Sequence, residues 1–297
     1  MSPWLRAYFS FEFLHNHTKS AFANVCGTMH ENAIAGLEVT EHHGRQVFSA
    51  PLFTAKECAQ LIALASKRGF TKSSVSGGGH GRTGREDAVT NSYAVINNEA
   101  LAARIWSQVK RVIPIGVSHL EKNPHFAPNQ GWTPHCVHPC MRFYRYNKGE
   151  SFAEHIDYKQ QRVDVLKDGS RRVLQSVYTL LIYLNDDFDG GETGYWPNHA
   201  GIHCRFRREQ EKQHAFKKRH QVIIKPVTGM AVIQDQNLLH EGLPPTSVGK
   251  PKYILRTDVI FERVIPRSAK LNNIKPDPPK IGDWTRQFET SCKNYAI

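Results

Sequence analysis

The spacing of apolar positions changes character near Pro134. Before it, Cys58, Leu61, Ile62, Leu64 and Ala65 recur at helical intervals. Thr54, with Glu57 three residues on, forms a capping box that opens this helix, and Gly69, just after Lys67, stops it. A second helix is predicted from about Asn98 to Ile113, with Leu101, Ile105, Val109 and Val112 on one face. A short strand, Gln46 to Phe53, precedes both. After Pro134 the period falls to two. Strands are predicted at Met141–Tyr146, Val173–Leu184, Gln221–Lys225, Met230–Gln234 and Lys252–Arg263. Helices followed by many short strands predict an α+β domain whose C-terminal half is an antiparallel sandwich.

This pattern divides the chain into an extension over residues 1–44, one domain over 45–265 and a Pro-containing tail over 266–297. Two insertions interrupt the strands. One turns at Lys167-Asp168-Gly169-Ser170. The other, His203 to His220, carries seven Lys/Arg against Glu209 and Glu211, a local charge of +5. A length of 297 residues with 40% hydrophobic and 22% charged residues suits a globular core and excludes a disordered or fibrous chain. No apolar run approaches the length of a membrane-spanning helix. The net charge of +12 raises the question of anionic partners without bearing on the fold. Six scattered cysteines favour a reduced intracellular protein, cytoplasmic or nuclear. The N-terminal stretch is interrupted by Glu12 and does not read as a secretory signal; a mitochondrial presequence is the alternative.

The candidate chemistry begins at His155-Ile156-Asp157. In extended chain, residues i and i+2 share a side, so the imidazole and the carboxylate converge. His240 lies 85 residues on, just after a predicted strand. Two imidazoles and one carboxylate on one face of an ion leave three positions open, an arrangement suited to non-haem Fe(II). Among sixteen histidines a chance His-x-Asp is common, and the bland reading is a surface histidine beside a solvated acid. The surroundings decide between them. Arg142-Phe143-Tyr144-Arg145-Tyr146-Asn147-Lys148-Gly149 precedes the pair, and Ser176-Val177-Tyr178-Thr179-Leu180-Leu181-Ile182-Tyr183-Leu184-Asn185 follows it. Gly190-Gly191-Glu192-Thr193, Leu239-His240-Glu241-Gly242 and Gly249-Lys250-Pro251-Lys252-Tyr253-Ile254-Leu255-Arg256-Thr257-Asp258 complete the order. In this order the chain resembles the Fe(II)/2-oxoglutarate-dependent dioxygenase superfamily in its prolyl 4-hydroxylase-like branch, over residues 45–265 and best from 141 to 262.

The resemblance implies a distorted double-stranded β-helix, of jelly-roll or cupin type, backed by N-terminal helices. It implies Fe(II) held by His155, Asp157 and His240, and 2-oxoglutarate as co-substrate. Relatives grip the distal carboxylate with a Lys or Arg on the strand after the second histidine. Lys252 is favoured over Lys250 because it begins that strand. Arg256 shares its face by the period of two, either as a second cation for the co-substrate or as an ion-pair partner of Asp258. Tyr183 matches a donor to the same carboxylate, Tyr146 matches a wall of the pocket, and Thr179 shares a face with Tyr183; ordinary strand packing is the alternative for both tyrosines. The implied reaction consumes O2, turns 2-oxoglutarate into succinate and CO2, and hydroxylates an organic substrate, with ascorbate supporting activity. A protein prolyl side chain leads. Nucleic-acid demethylation, hydroxylation of a small metabolite and a catalytically silent metal-containing module are the alternatives, and the intact ligand set argues against the last.

Three other signals carry less. Ser76 to Glu86 is glycine-rich with Arg82 and Arg85, but lacks the Lys-Ser/Thr ending of a phosphate loop. His135-Cys136-x-His138-x-Cys140 is packed too tightly for usual zinc spacing, and a Cys136–Cys140 disulfide would be strained, so a packing loop is expected there. The basic insertion interleaves Phe206 and Phe216 with its cations, a pattern that suits acidic or nucleic-acid partners as well as a solvated flap. Its place in the chain implies an influence on substrate choice.

Overall fold

The computed structural model describes residues 38–44, 46–73, 89–113, 131–157, 159–197 and 220–267. The glycine-rich run Ser76 to Glu86, the basic insertion up to Arg219, the extension before residue 38 and the tail beyond Arg267 lie outside the described residues. In chain order the elements are β1 (Thr40–His43), β2 (Val47–Pro51), α1 (Ala55–Arg68), β3 (Thr71–Lys72), β4 (Ser92–Asn97), α2 (Glu99–Val109), β5 (Thr133–Val137), β6 (Cys140–Tyr146) and β7 (Phe152–His155). They continue as β8 (Gln161–Val165), β9 (Arg171–Tyr183), β10 (Thr193–Trp196), β11 (Val222–Ile224), β12 (Met230–Asp235), β13 (Leu239–Gly242) and β14 (Lys252–Ile265).

The strands form two antiparallel sheets. The larger runs β1-β2-β12-β9-β14-β6-β4-β3, with β5 also on β14 and β8 on β9; the smaller runs β11-β10-β13-β7. From β6 onward the chain passes repeatedly between them. β6, β9, β12 and β14 belong to the larger sheet, and β7, β10, β11 and β13 to the smaller. Eight antiparallel strands wound this way make a jelly roll. Its interior is filled from both sheets by Tyr144, Tyr146, Leu181, Tyr183, Tyr195, Ile224, Val232, Leu238 and Ile254. Because the side-chain period of a strand is two, Thr179, Leu181 and Tyr183 face inward together, as do Lys252, Ile254 and Arg256.

Both helices start as their caps dictate. The Thr54 side chain accepts from the Glu57 N–H at 3.3 Å, while Glu57 Oε2 accepts from the Thr54 N–H at 2.7 Å. Asn98 caps α2 by accepting from the Leu101 N–H at 2.9 Å. Helix α1 packs against β4 and α2 against β5, and Arg104 of α2 pairs with Glu57 of α1. No helix among the described residues is long and apolar enough to cross a membrane.

Several strands depart from the expected pattern. β1 lies inside the stretch read as an extension and pairs with β2. β5 occupies the stretch expected to be a loop; Pro134 obscures it, and it is paired along one side with β14. The turn at Asp168-Gly169 joins β8 to β9 in register, so that insertion is a hairpin extending the larger sheet. β4 escapes notice because its buried positions are the small residues Ser92 and Ala94 beside Ile96.

One glycine ties β2 to this framework. Gly229, at φ +82°, accepts at its carbonyl from the N–H groups of Leu52 and Phe53 and donates its own N–H to the Tyr183 carbonyl. A Cβ there would lie 1.8 Å from the Phe53 carbonyl oxygen, whereas a Cβ on Gly249, at φ +75°, meets nothing within 4 Å. Gly229→Ala is therefore expected to cost more than about 2 kcal/mol of unfolding free energy and Gly249→Ala about 1 kcal/mol, measured from urea midpoints.

Candidate metal centre

His155 ends β7 and His240 lies on β13, and the two are direct cross-strand partners in the smaller sheet. Their rings face inward with centroids 4.2 Å apart. Each ring is oriented by its own strand: His155 Nδ1 lies 2.8 Å from the Ala153 carbonyl oxygen and His240 Nδ1 lies 3.0 Å from that of Leu238. A carbonyl accepts only, so Nδ1 carries the hydrogen and the Nε2 atoms are the acceptors; His155 Nε2 faces Asp157, while His240 Nε2 lies 3.0 Å from the Gln234 amide nitrogen, a donor that a metal would replace. Phe152 stacks on the His155 ring at 3.7 Å, and Tyr195 lies nearly parallel to the His240 ring at 5.9 Å.

Asp157, two residues past β7, crosses toward the larger sheet. Its Oδ1 is 3.7 Å from His155 Nε2 and its Oδ2 is 3.7 Å from His240 Nε2. The ligand atoms of the three residues lie within 4.8 Å of one another, the one such grouping of His, Cys, Asp or Glu among the described residues. Three elements of the larger sheet hold the carboxylate: Arg256 Nη2 on β14 at 2.9 Å from Oδ1, and the Thr179 hydroxyl on β9 at 2.6 Å and Gln234 Nε2 on β12 at 3.3 Å, both to Oδ2.

The electrostatics suit a divalent ion. Burial alone would raise the Asp157 carboxyl, but the Arg256 guanidinium, the two imidazoles and the Thr179 hydroxyl outweigh it and hold the group below the usual carboxylate range. Burial, reinforced by the neighbouring His240, pushes His155 down to about 3, so its ring is neutral at physiological pH. Two imidazoles and one ionised carboxylate converging from one side are the donor set that a facial Fe(II) centre requires.

Lys252 lies in the same interior, fully buried at the start of β14. Its Nζ donates to the Gly191 carbonyl at 2.6 Å and sits over the rings of Tyr146 at 5.0 Å and Tyr183 at 5.8 Å. Burial pulls its pKa down to about 7, against a smaller opposing effect of Glu192. Among the described residues no carboxylate comes within ion-pair distance of Nζ. Lys250, the other candidate, is exposed in the loop before β14. Tyr183 shares a 2.6 Å hydrogen bond with Thr193 Oγ1. Arg256 stands between acids, at 2.9 Å from Asp157 and 3.5 Å from Asp258, so the ion pair foreseen with Asp258 is present and a second one with Asp157 accompanies it.

Sequence reasoning did not single out Gln234, Tyr195, Phe152 or Thr193 in these roles. Gln234 had a signal: it sits two residues after Val232, so a polar side chain falls at an inward position of a buried strand. Gly191 belonged to a quoted motif, but its use is visible only in space. A Cβ there would meet the Phe188 ring at 2.7 Å and Lys252 Cδ at 3.1 Å. The His135-to-Cys140 run holds neither feature weighed for it. Cys136 is a free thiol whose pKa is pushed up to about 11, mainly by burial, and Cys140 is disulfide-bonded elsewhere. That disulfide also departs from the expectation of a fully reduced chain.

Residues 141–257 match the model of the 2OG-Fe(II) oxygenase superfamily. Prolyl 4-hydroxylase 2 of Arabidopsis thaliana is 26% identical over 216 residues, which span 67% of this chain and 64% of that protein, so the match leaves about a third of that relative uncovered. A Pseudomonas putida prolyl-4-hydroxylase structure aligns over 80% of this chain and 97% of its own, at 16% identity and a TM-score of 0.41. A Trichoplax adhaerens prolyl hydroxylase, solved with a hypoxia inducible factor peptide fragment, aligns over 87% and 93%, at 15% identity and a TM-score of 0.42.

The buried histidines make the metal-free protein acid-labile. His138, 2% exposed, is pushed down to about 3 chiefly by burial, as His155 is. Between about pH 6.5 and 3 the unfolded chain binds protons that these two folded rings refuse, so stability falls as pH falls. Asp157, whose carboxyl is depressed, adds a loss in the same direction lower in the acid range. Unfolding free energy of metal-free protein is expected to drop by up to about 1.4 kcal/mol per pH unit for each histidine below pH 6, followed by urea titration at successive pH values. A flat curve from pH 7 to 5 would contradict buried neutral rings.

Proposed function

We propose that this chain, whose residues 141–257 match the 2OG-Fe(II) oxygenase superfamily model, is an Fe(II)/2-oxoglutarate-dependent dioxygenase that hydroxylates a protein side chain, with a prolyl residue as the leading target. The observation that carries this reading is the convergence of His155, Asp157 and His240 in one interior with a buried lysine that has no carboxylate within ion-pair distance among the described residues. When bound, Fe(II) with 2-oxoglutarate and O2 supplies the oxidation that leaves succinate, CO2 and a hydroxylated product, and ascorbate would keep the iron ferrous.

The rest is the work of the chain. His155 and His240 would present their Nε2 atoms to the ion, and Asp157 presents an ionised carboxylate that Arg256 keeps from taking up a proton. Lys252 binds the distal carboxylate of the co-substrate, with the Tyr146 and Tyr183 rings walling that end. Lys252 and Arg256 are four residues apart on one face of β14, a rise of about 13 Å. A five-carbon dicarboxylate together with the lysine side chain bridges that interval to the ligand cluster. Arg256, already held by two acids, serves the metal side of the site. The tyrosine-lined interior excludes water and so strengthens both charge pairings. The prolyl assignment is supported by the similarity to the Arabidopsis prolyl 4-hydroxylase.

Lys252→Met is expected to weaken 2-oxoglutarate binding by about thirtyfold or more while leaving the Fe(II) dissociation constant near wild type, both by anaerobic calorimetry. Arg256→Met is expected to weaken Fe(II) first; the reverse pairing of effects would show that the cations had been exchanged. A second measurement reads the lysine itself. With a pKa of about 7, Lys252 is largely neutral at pH 8 in the free protein, and an incoming carboxylate restores its charge. Binding of 2-oxoglutarate at pH 8 is therefore expected to take up a proton, seen as a heat that depends on the buffer's ionisation enthalpy, and to weaken as pH rises further. No buffer dependence would remove Lys252 from the role.

A further inference from the structure

The surroundings of Asp157 carry information about how it would ligate, beyond its being a ligand. An ionised carboxylate has two oxygens and about four acceptor positions. At Oδ2, two are engaged by the protein: the Thr179 hydroxyl at 2.6 Å and Gln234 Nε2 at 3.3 Å. At Oδ1, Arg256 Nη2 takes one at 2.9 Å. The orientation of the Gln234 amide is not free. The Tyr195 hydroxyl donates to its Oε1 at 2.6 Å, which turns the amide nitrogen toward His240 Nε2 at 3.0 Å and Asp157 Oδ2 at 3.3 Å; a metal taking the Nε2 lone pair leaves Oδ2 as its partner. Gln234 is fully buried and Tyr195 is too, so neither group has water as a substitute partner. Arg256 is fixed from behind by Asp258 at 3.5 Å.

We propose that Thr179 and Gln234, the latter aimed by Tyr195, are positioning residues that occupy Oδ2 and limit Asp157 to a single metal bond through Oδ1. The inference rests on the metal centre proposed above and deepens it. A carboxylate that chelated through both oxygens would take one more coordination position, leaving two rather than three on a six-coordinate ion. A site that must admit a bidentate co-substrate and then O2 has no position to spare. The larger sheet thus sets the number of vacancies on an ion whose histidine ligands come from the smaller sheet. Each of the three strands contributes through its inward face: Thr179 on β9, Gln234 on β12 opposite Thr179 in register, and Arg256 on β14.

The test uses Mn(II) alone, which suits carboxylate and imidazole ligands and reports its bound waters through proton relaxation. Full-length protein is loaded with Mn(II), and relaxivity per bound ion is measured for wild type, Thr179→Val, Gln234→Leu and Tyr195→Phe. Relaxivity is expected to fall by roughly a third in Thr179→Val and Gln234→Leu as Oδ2 is released to the metal and one water leaves. Tyr195→Phe should shift it in the same direction, and Thr179→Ser, which restores a hydroxyl, should recover the wild-type value. Mn(II) affinity in the first two variants should hold or rise, because a bond is gained. Unchanged relaxivity per bound ion in both variants, with normal binding, would overturn this inference and leave the metal centre standing. Absence of Mn(II) and Fe(II) binding in wild type would overturn both together. If Thr179→Val is too unstable to load, Gln234→Leu decides the matter by the same readout.

Discussion

A carboxylate buried without compensation would take up a proton, and a protonated Asp157 could not hold a divalent ion. The contact that prevents this is the 2.9 Å pairing with Arg256. It joins the loop after β7 to the middle of β14, and so joins the two sheets at the point where the ligands gather. The guanidinium is itself balanced by Asp258, so the interior holds an alternating row of charges in which each has an opposite neighbour. Lys252, farther along the same strand face, is the exception: its amine has carbonyl and aromatic company but, among the described residues, no anion within ion-pair distance. One cation of this strand face is thus held by two acids and the other by a carbonyl and two rings.

The jelly roll explains why so few residues suffice. Strands that pass alternately between two sheets bring positions far apart in the chain into register. His155 and His240 are neighbours across a ladder, and Thr179, Gln234 and Arg256 are neighbours across another. The smaller sheet carries both histidines, the loop leaving it carries Asp157, and the larger sheet holds that carboxylate from the opposite wall, with aromatic side chains filling the space between.

Much of this was visible before the coordinates. Alternation marked β6, β9, β12 and β14, because each carries a long run of apolar residues, and the capping box at Thr54 placed α1 to within a residue. The ligand cluster could be named because His-x-Asp and the later histidine sit among recognisable neighbours. What escaped were the four-residue strands β7, β10 and β13, too short for a period to declare itself, and β5, where a proline masks an edge pairing, although the similarly short β2 and β11 were legible from their apolar residues. The supporting polar groups escaped for a different reason. Nothing local distinguishes Gln234 from a solvated glutamine; its role exists only because Tyr195 and Asp157, from other strands, close around it. The Gly191 carbonyl is likewise a backbone group, and no side-chain pattern announces it.

The position of β7 has a mechanical corollary. It forms one margin of the smaller sheet, with β13 as its partner along the ladder and a single bridge from Phe152 to Val89 on its other side. Margins of sheets fray first. An ion shared by His155 and His240 would span that ladder as a cross-link, fastening the outermost strand to its neighbour. Loading the centre would then resist the opening of that outermost pairing, and the smaller sheet would hold together best with the ion in place.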